Sequence, residues 1–194
     1  YRNTPIVDII EKKVGIKPVI SNDATCAVAG ELYAGYGKEY NHIAMITLGT
    51  GVGSGIIIDS KIHNGYGFAG GEIGHTLYQA GGRQCTCGKR GCLETYASAT
   101  GLKLTTKEHM QANRDSLMWE LCNGDLANIS GKTAFQAMKA GDQEGEAVVR
   151  EYVQALSEGV CSIVNLLQPE IVCIGGGVSK EGALLTEPIN EFLD

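Results

Sequence analysis

The chain has 194 residues, is 43% hydrophobic, and carries 16 Lys and Arg against 22 Asp and Glu for a net charge of −6. That balance argues against a nucleic-acid surface, which needs clustered cations to meet phosphate. No apolar run approaches the roughly 20 residues of a membrane span, so no membrane contact is expected, and the size suits one sizeable core or one core plus a partial one. Seven cysteines, an odd number, fit a reducing compartment better than a disulfide framework. With no signal-peptide pattern opening the chain, a cytoplasmic location follows.

In chain order, Ile6, Ile9 and Ile10 share a face, and the spacing predicts a helix over 6–13 that stops at Gly15. KPVISND, 17–23, reads as a short strand running into Asn22 and Asp23. The alanine-rich stretch that follows predicts a helix closing at Gly35 or Gly37. An Asp between a strand end and a helix is a place where catalytic residues collect; on spacing alone, Asn22-Asp23 reads first as a plain N-cap.

From His42 the chain turns β-rich, with apolar runs at 43–48 and 56–58 around Gly49-Thr50-Gly51-Val52-Gly53-Ser54-Gly55. Alternating glycines leave backbone N–H groups free to turn toward an anion, so Gly49, Thr50, Gly51 and Gly53 are candidate phosphate contacts. The same composition also describes a bulged hairpin, with Asp59-Ser60 making the next turn.

The stretch 75–94, HTLYQAGGRQCTCGKRGCLE, holds His75, Cys85, Cys87 and Cys92 at tight spacing. Three thiolates and an imidazole fill the tetrahedral shell of Zn²⁺ and leave no position for an activating water, so a metal here reads as structural. The alternative is three reduced cysteines in a glycine-rich loop. Glu72 and Glu94 flank the knot, and a metal that fixes the loop also fixes where these acids point.

Beyond it, 94–109 reads as a helix broken at Gly101, and 116–122 and 133–140 as two short helices, with Trp119 in the core. The longest helix is expected over 144–167 and ended by Pro169. A buried strand, 170–174, then runs into Gly175, Gly176 and Gly177, where a nucleoside can lie against backbone, or where the chain turns tightly from strand to helix.

With these residues in view, nearly the whole chain resembles the ROK family of sugar kinases and sugar-responsive repressors, α/β proteins of the actin-like ATPase (ribonuclease H-like) fold. SNDATCAVAGE resembles the family's segment around its catalytic aspartate, GTGVGSG its second phosphate loop, GGEIGH with CTCGKRGCLE its sugar and zinc motifs, and IVCIGGGVS its adenosine loop. The resemblance implies Asp23 as general base, Asn22, Glu72, His75 and Glu94 as sugar contacts, and one ring nitrogen of His75 on zinc with the other facing the sugar. It implies ATP with Mg²⁺, and a homodimer. Residues 1–38 would close the N-terminal lobe, and 39–194 would form most of the C-terminal lobe. Ser21 and Thr25 stand where Glu and Asn are usual. An Asp-x-Gly-Gly-Thr phosphate loop is expected before Tyr1 and a final helix after Asp194, making this an interior portion. The expected activity is glucokinase-like phosphorylation of a hexose 6-hydroxyl. A sugar-sensing repressor, or a kinase of N-acylmannosamine or fructose, is the alternative, and a zinc-ribbon interaction domain is disfavoured by the motifs outside the metal loop.

Overall fold

The computed structural model describes residues 3–194. Its sheet has four strands, the third and the fourth in chain order lying outermost. β1 (Ile43–Leu48) and β2 (Val52–Ile58) form a hairpin, β3 (Lys61–Ile62) continues it, and β4 (Ile171–Gly176) runs parallel to β1. Asp59 and Ser60 both sit at positive φ, 50° and 59°, as a two-residue turn matching strand twist requires.

Side chains alternate across a strand, and here each face has its own helix layer. Ala44, Ile46, Leu48, Val52 and Ile56 join the main core, which is closed chiefly by the long helix α7 (Gln143–Leu167). Ile43, Met45 and Ile57 pack instead with Val28 of α2 (Asp23–Ala34). The alternation explains the glycine pattern of β2. Gly53 and Gly55 lie on the α2 face, where a Cβ on Gly55 would stand 2.5 Å from Val28 Cγ1 and 3.0 Å from the Ala24 carbonyl, and one on Gly53 would stand 3.1 Å from Ala24 Cβ. They let the helix sit directly on the sheet.

α1 (Ile6–Val14) ends at Gly15, φ 72°, much as expected, but buries none of its residues. The strand expected over 17–23 does not form. A strand needs a hydrogen-bonded neighbour, and none is available to this segment among the described residues, so Val19 is left 94% exposed. After α3 (Glu94–Ala97) the helical path breaks at Ser98, not at Gly101. Ser98 caps α4 (Ala99–Ala112) by accepting the Gly101 N–H at 2.9 Å. Gly101 lies buried inside that helix because a Cβ there would meet the Thr95 carbonyl at 2.7 Å.

α5 (Leu117–Leu121) and α6 (Thr133–Lys139) are the two short helices. Trp119 lies at the rim of the core, not inside it, because its indole N–H must reach the Met110 and Asn113 carbonyls, at 2.8 and 3.0 Å. α7 is capped by Asp142, which accepts the Gly145 N–H at 2.6 Å, and ends at Gln168 in the left-handed region, one residue before Pro169. β4 is half-buried, where full burial was expected, because it is the outer strand of the sheet on its side. α8 (Ala183–Leu193) packs back on α7.

Candidate functional site

The donor atoms of His75, Cys85, Cys87 and Cys92 all lie within 4.8 Å of one another. Cys87 Sγ stands 3.6 Å from Cys92 Sγ, and His75 Nδ1 3.6 Å from Cys85 Sγ. A tetrahedral Zn²⁺ with bonds of about 2.3 Å to sulfur and about 2.0–2.1 Å to nitrogen sets S···S near ~3.8 Å and S···N near ~3.6 Å. The four side chains therefore fit zinc in chemistry and in spacing. Backbone contacts shape the loop: Cys85 N–H donates to Lys89 O and Gly91 N–H to Arg83 O, while Gly88 and Gly91 take φ of 90° and 81°. Burial pushes the Cys92 thiol up to about 12, while the Lys89 N–H lowers Cys87. A dication among them would favour the thiolate at both.

The first three residues of β2 gather the rest. Glu94 Oε2 accepts the Val52 N–H at 3.1 Å, and Glu94 Oε1 lies 3.8 Å from Cys85 Sγ, so this carboxylate bridges the hairpin and the cysteine cluster. Gly51 has room for no side chain because that same carboxylate occupies the place of its Cβ. Gly74 packs its backbone on the Val52 carbonyl. Ser54 Oγ donates to Gly71 O and accepts the Ile73 N–H at 3.0 Å, which pins the segment carrying Glu72 and His75 to β2. Gly53 and Gly55 hold the first turn of α2, and with it Asn22 and Asp23. Asn22 Oδ1 accepts the Ala24 and Thr25 N–H groups, so the N-cap reading of this pair holds for the Asn22 carbonyl. Asp23 is exposed and Asp23 Oδ1 accepts the Ala24 N–H at 2.8 Å.

The parallel pairing of β1 with β4 puts their carboxyl ends side by side: Thr47 pairs with Gly175 and Leu48 with Gly176. The turn Gly49–Thr50–Gly51 and the run Gly175–Gly176–Gly177 thus leave the sheet at one edge, where ligands of open α/β sheets bind. Gly176 takes φ 93°, and a Cβ on it would stand 2.5 Å from Leu48 O. Ala99 N–H and Thr100 Oγ1 donate to the Gly49 and Thr50 carbonyls, fixing the turn to the start of α4. Thr50, Gly51 and Glu94 line one cleft of about 370 Å³.

The sequence model of the ROK family matches residues 1–194. The chain belongs to the ROK family. It is 36% identical over 191 residues to the glucokinase of Thermotoga maritima, covering 98% of this chain and 60% of that protein. It is 30% identical over 196 residues to the xylose repressor of Caldicellulosiruptor bescii, covering 100% and 48%. Among solved structures it superposes on a ROK family glucokinase of Streptomyces griseus, in complex with glucose and AMPPNP, with a TM-score of 0.87 at 34% identity, covering 99% of this chain and 62% of that one. The fold is therefore the actin-like ATPase fold of ROK kinases. The chain spans about three-fifths of the length of the curated glucokinases it matches.

Within this ROK chain the His75–Cys85–Cys87–Cys92 cluster, Glu94 and the turn Gly49–Gly51 lie close together, and Glu72 stands three residues from His75 on the segment pinned by Ser54. Gly53 has a visible task in helix packing besides the phosphate contact expected of it. Ser54 escaped the reading of the sequence. The signal available was a hydroxyl in a strand position whose same-face neighbours, Val52 and Ile56, are apolar, since a buried hydroxyl needs partners. Arg83 escaped it too: its guanidinium donates to the Thr95 and Gly101 carbonyls, Thr105 and Glu108, and lies over the Tyr96 ring, clamping the metal loop to α3 and α4.

Proposed function

We propose that this chain carries the sugar site and one side of the nucleotide cleft of an ATP-dependent hexose kinase, glucokinase-like, acting on the sugar 6-hydroxyl. The observation that supports it most is the convergence on the first residues of β2, where the Asp23 helix, Glu94 and the Glu72–His75 segment are all fastened beside the Gly49–Gly51 turn. Phosphoryl transfer is chiefly positioning and charge stabilisation, and that convergence serves positioning.

In this reading Asp23 takes the proton of the attacking hydroxyl. Asn22, whose side-chain carbonyl is spent on the helix cap, offers its amide N–H₂ to a sugar oxygen. Glu72, Glu94 and His75 Nε2 hold further hydroxyls, since Nδ1 is the ring nitrogen on the cysteine side. The turn Gly49–Thr50–Gly51 and Gly53 face the polyphosphate with its Mg²⁺, the N–H groups of Thr50 and Gly51 donating to it because that of Gly49 is spent on Gly51 O at 3.1 Å, and Gly175, Gly176 and Gly177 face the adenosine. Zn²⁺ on His75, Cys85, Cys87 and Cys92 supplies a fixed cross-link that holds His75 and Glu94 in place. Residues 39–194 belong to the C-terminal lobe and 1–38 to the end of the other. The protein works as a cytoplasmic homodimer.

The family also holds repressors, as the 30% identity to a xylose repressor shows, and a sugar sensor shares the sugar contacts. What favours the kinase is Asp23 beside an intact GTGVGSG, because sensing needs neither a base nor a phosphate grip. In the full-length protein, Asp23→Asn is expected to lower kcat by about 10²- to 10⁴-fold while glucose binding by calorimetry stays within a few-fold of the parent. Near-parental turnover in Asp23→Asn refutes the base assignment. A parent that binds sugar yet releases no ADP with any hexose establishes the sensor reading.

A further inference from the structure

A cavity of about 850 Å³ lies between the 75–94 loop, α4 and α7, apart from the residues proposed to hold sugar and nucleotide. Asp23, Glu72, His75 and Glu94 do not line it. Its aromatic wall is rigid: the rings of Tyr78 and Tyr96 meet at 4.9 Å, and Tyr96 is held by the Arg83 guanidinium 4.7 Å over its face and by the Arg83 N–H donating to its hydroxyl at 2.9 Å. Tyr152 of α7, only 2% exposed, lines the same cavity, and its hydroxyl is the one buried side-chain polar atom among the described residues with no hydrogen-bond partner. Such a group is costly to bury unless something meets it.

The charges differ from those of the whole chain. Three guanidiniums, Arg83, Arg90 and Arg150, face two carboxylates, Glu108 and Glu151, in a protein of net charge −6. Arg83 is fully engaged and pairs with Glu108 at 2.6 Å. Glu151 is held by His109 Nε2 at 3.1 Å. Arg90 and Arg150 are exposed and pair with no carboxylate among the described residues. The amides of Gln79 and Gln154 complete the wall.

We infer that this cavity is a second binding site, for an anionic carbohydrate of the hexose phosphate class. Tyrosine faces with side-chain amides and a fixed carboxylate suit the C–H face and hydroxyls of a pyranose, and two guanidiniums without a carboxylate partner, Arg90 held by its Nε–H donating to Gly81 O at 3.3 Å, suit a phosphate monoester. Tyr78, Gln79 and Arg83 belong to the segment between His75 and Cys85, so a ligand here bears on the loop that carries the metal ligands, and the two sites are linked through it.

Calorimetric titration of the full-length protein with glucose 6-phosphate, glucose and inorganic phosphate separates this site from the one proposed above. Arg150→Met and the double variant Arg90→Met/Arg150→Met are expected to weaken glucose 6-phosphate at least tenfold, with glucose affinity and metal content unchanged. Glu72→Ala is expected to lose glucose yet keep glucose 6-phosphate. The inference is overturned if the double variant binds glucose 6-phosphate like the parent, if Glu72→Ala loses both ligands together, if inorganic phosphate binds as tightly as the sugar phosphate, or if the parent does not bind glucose 6-phosphate at millimolar concentration.

Discussion

A glycine-rich motif is several devices in one stretch, and single positions of GTGVGSG separate them. Gly49 has open space where a Cβ would go and ordinary backbone, whereas Gly55 faces Val28 and the Ala24 carbonyl at 2.5 and 3.0 Å. Gly49→Ala is therefore expected to change unfolding stability by no more than about 0.5 kcal/mol, and Gly55→Ala to cost about 1–3 kcal/mol through overpacking. Urea unfolding of the two variants checks this, and equal midpoints contradict it. Gly51→Ala acts differently, since the carboxylate of Glu94 occupies its space. Sugar affinity should fall with stability nearly intact, because displacing Glu94 unbinds Val52 without opening the core.

Between elements, His109 joins α4 to α7. His109 Nδ1 stands 2.7 Å from Glu144 and Nε2 3.1 Å from Glu151. Burial pulls the imidazole down, but the two carboxylates together hold it above its ordinary value, while Glu144 is held below its own. A raised folded-state histidine stabilises fully below the unfolded value of 6.5 and loses that contribution as pH rises through the folded value. A depressed carboxylate stabilises above 4.5 and loses it on further acidification. The stability difference between the parent and His109→Gln should therefore be largest between these two values and shrink above neutrality. A difference that is flat from pH 5 to 8 rules out the charged bridge. The periodicity of α7 and the alternation of the hairpin were legible in sequence because both follow from local side-chain spacing. The 17–23 strand was misread because a strand exists only with a partner, and the break at Ser98 because a cap competes with helix propensity at a position where Gly101 draws attention. The gathering of His75, Cys85, Cys87 and Cys92 was legible from spacing. The Ser54 pin and the Arg83 clamp were not, since their partners lie 12 to 25 residues away.

At the scale of the whole molecule, the 75–94 loop carries the proposed metal ligands, the proposed sugar contacts His75 and Glu94, and the Arg83 clamp together, so loss of the proposed metal should be felt globally. Chelation, or Cys87→Ser, is expected to remove about one zinc per chain and lower the melting temperature on the order of 10 °C. A chain that holds no zinc, or a Cys87→Ser variant that melts like the parent, rejects the structural metal. The sheet has its own consequence for how the chain reaches this state. β1 finds β2 across three residues, but it finds β4 only after the chain returns from 128 residues away, where Glu170 accepts the Asn41 and His42 N–H groups at 2.6 and 2.8 Å. Local pairing closes fast and distant pairing slowly. The hairpin should therefore be an early folding unit and the docking of β4 a late one. The two glycine loops meet only at that last step, so the nucleotide binding proposed for them should appear after most of the helical signal, and nucleotide-dependent fluorescence during refolding would lag the recovery of circular dichroism.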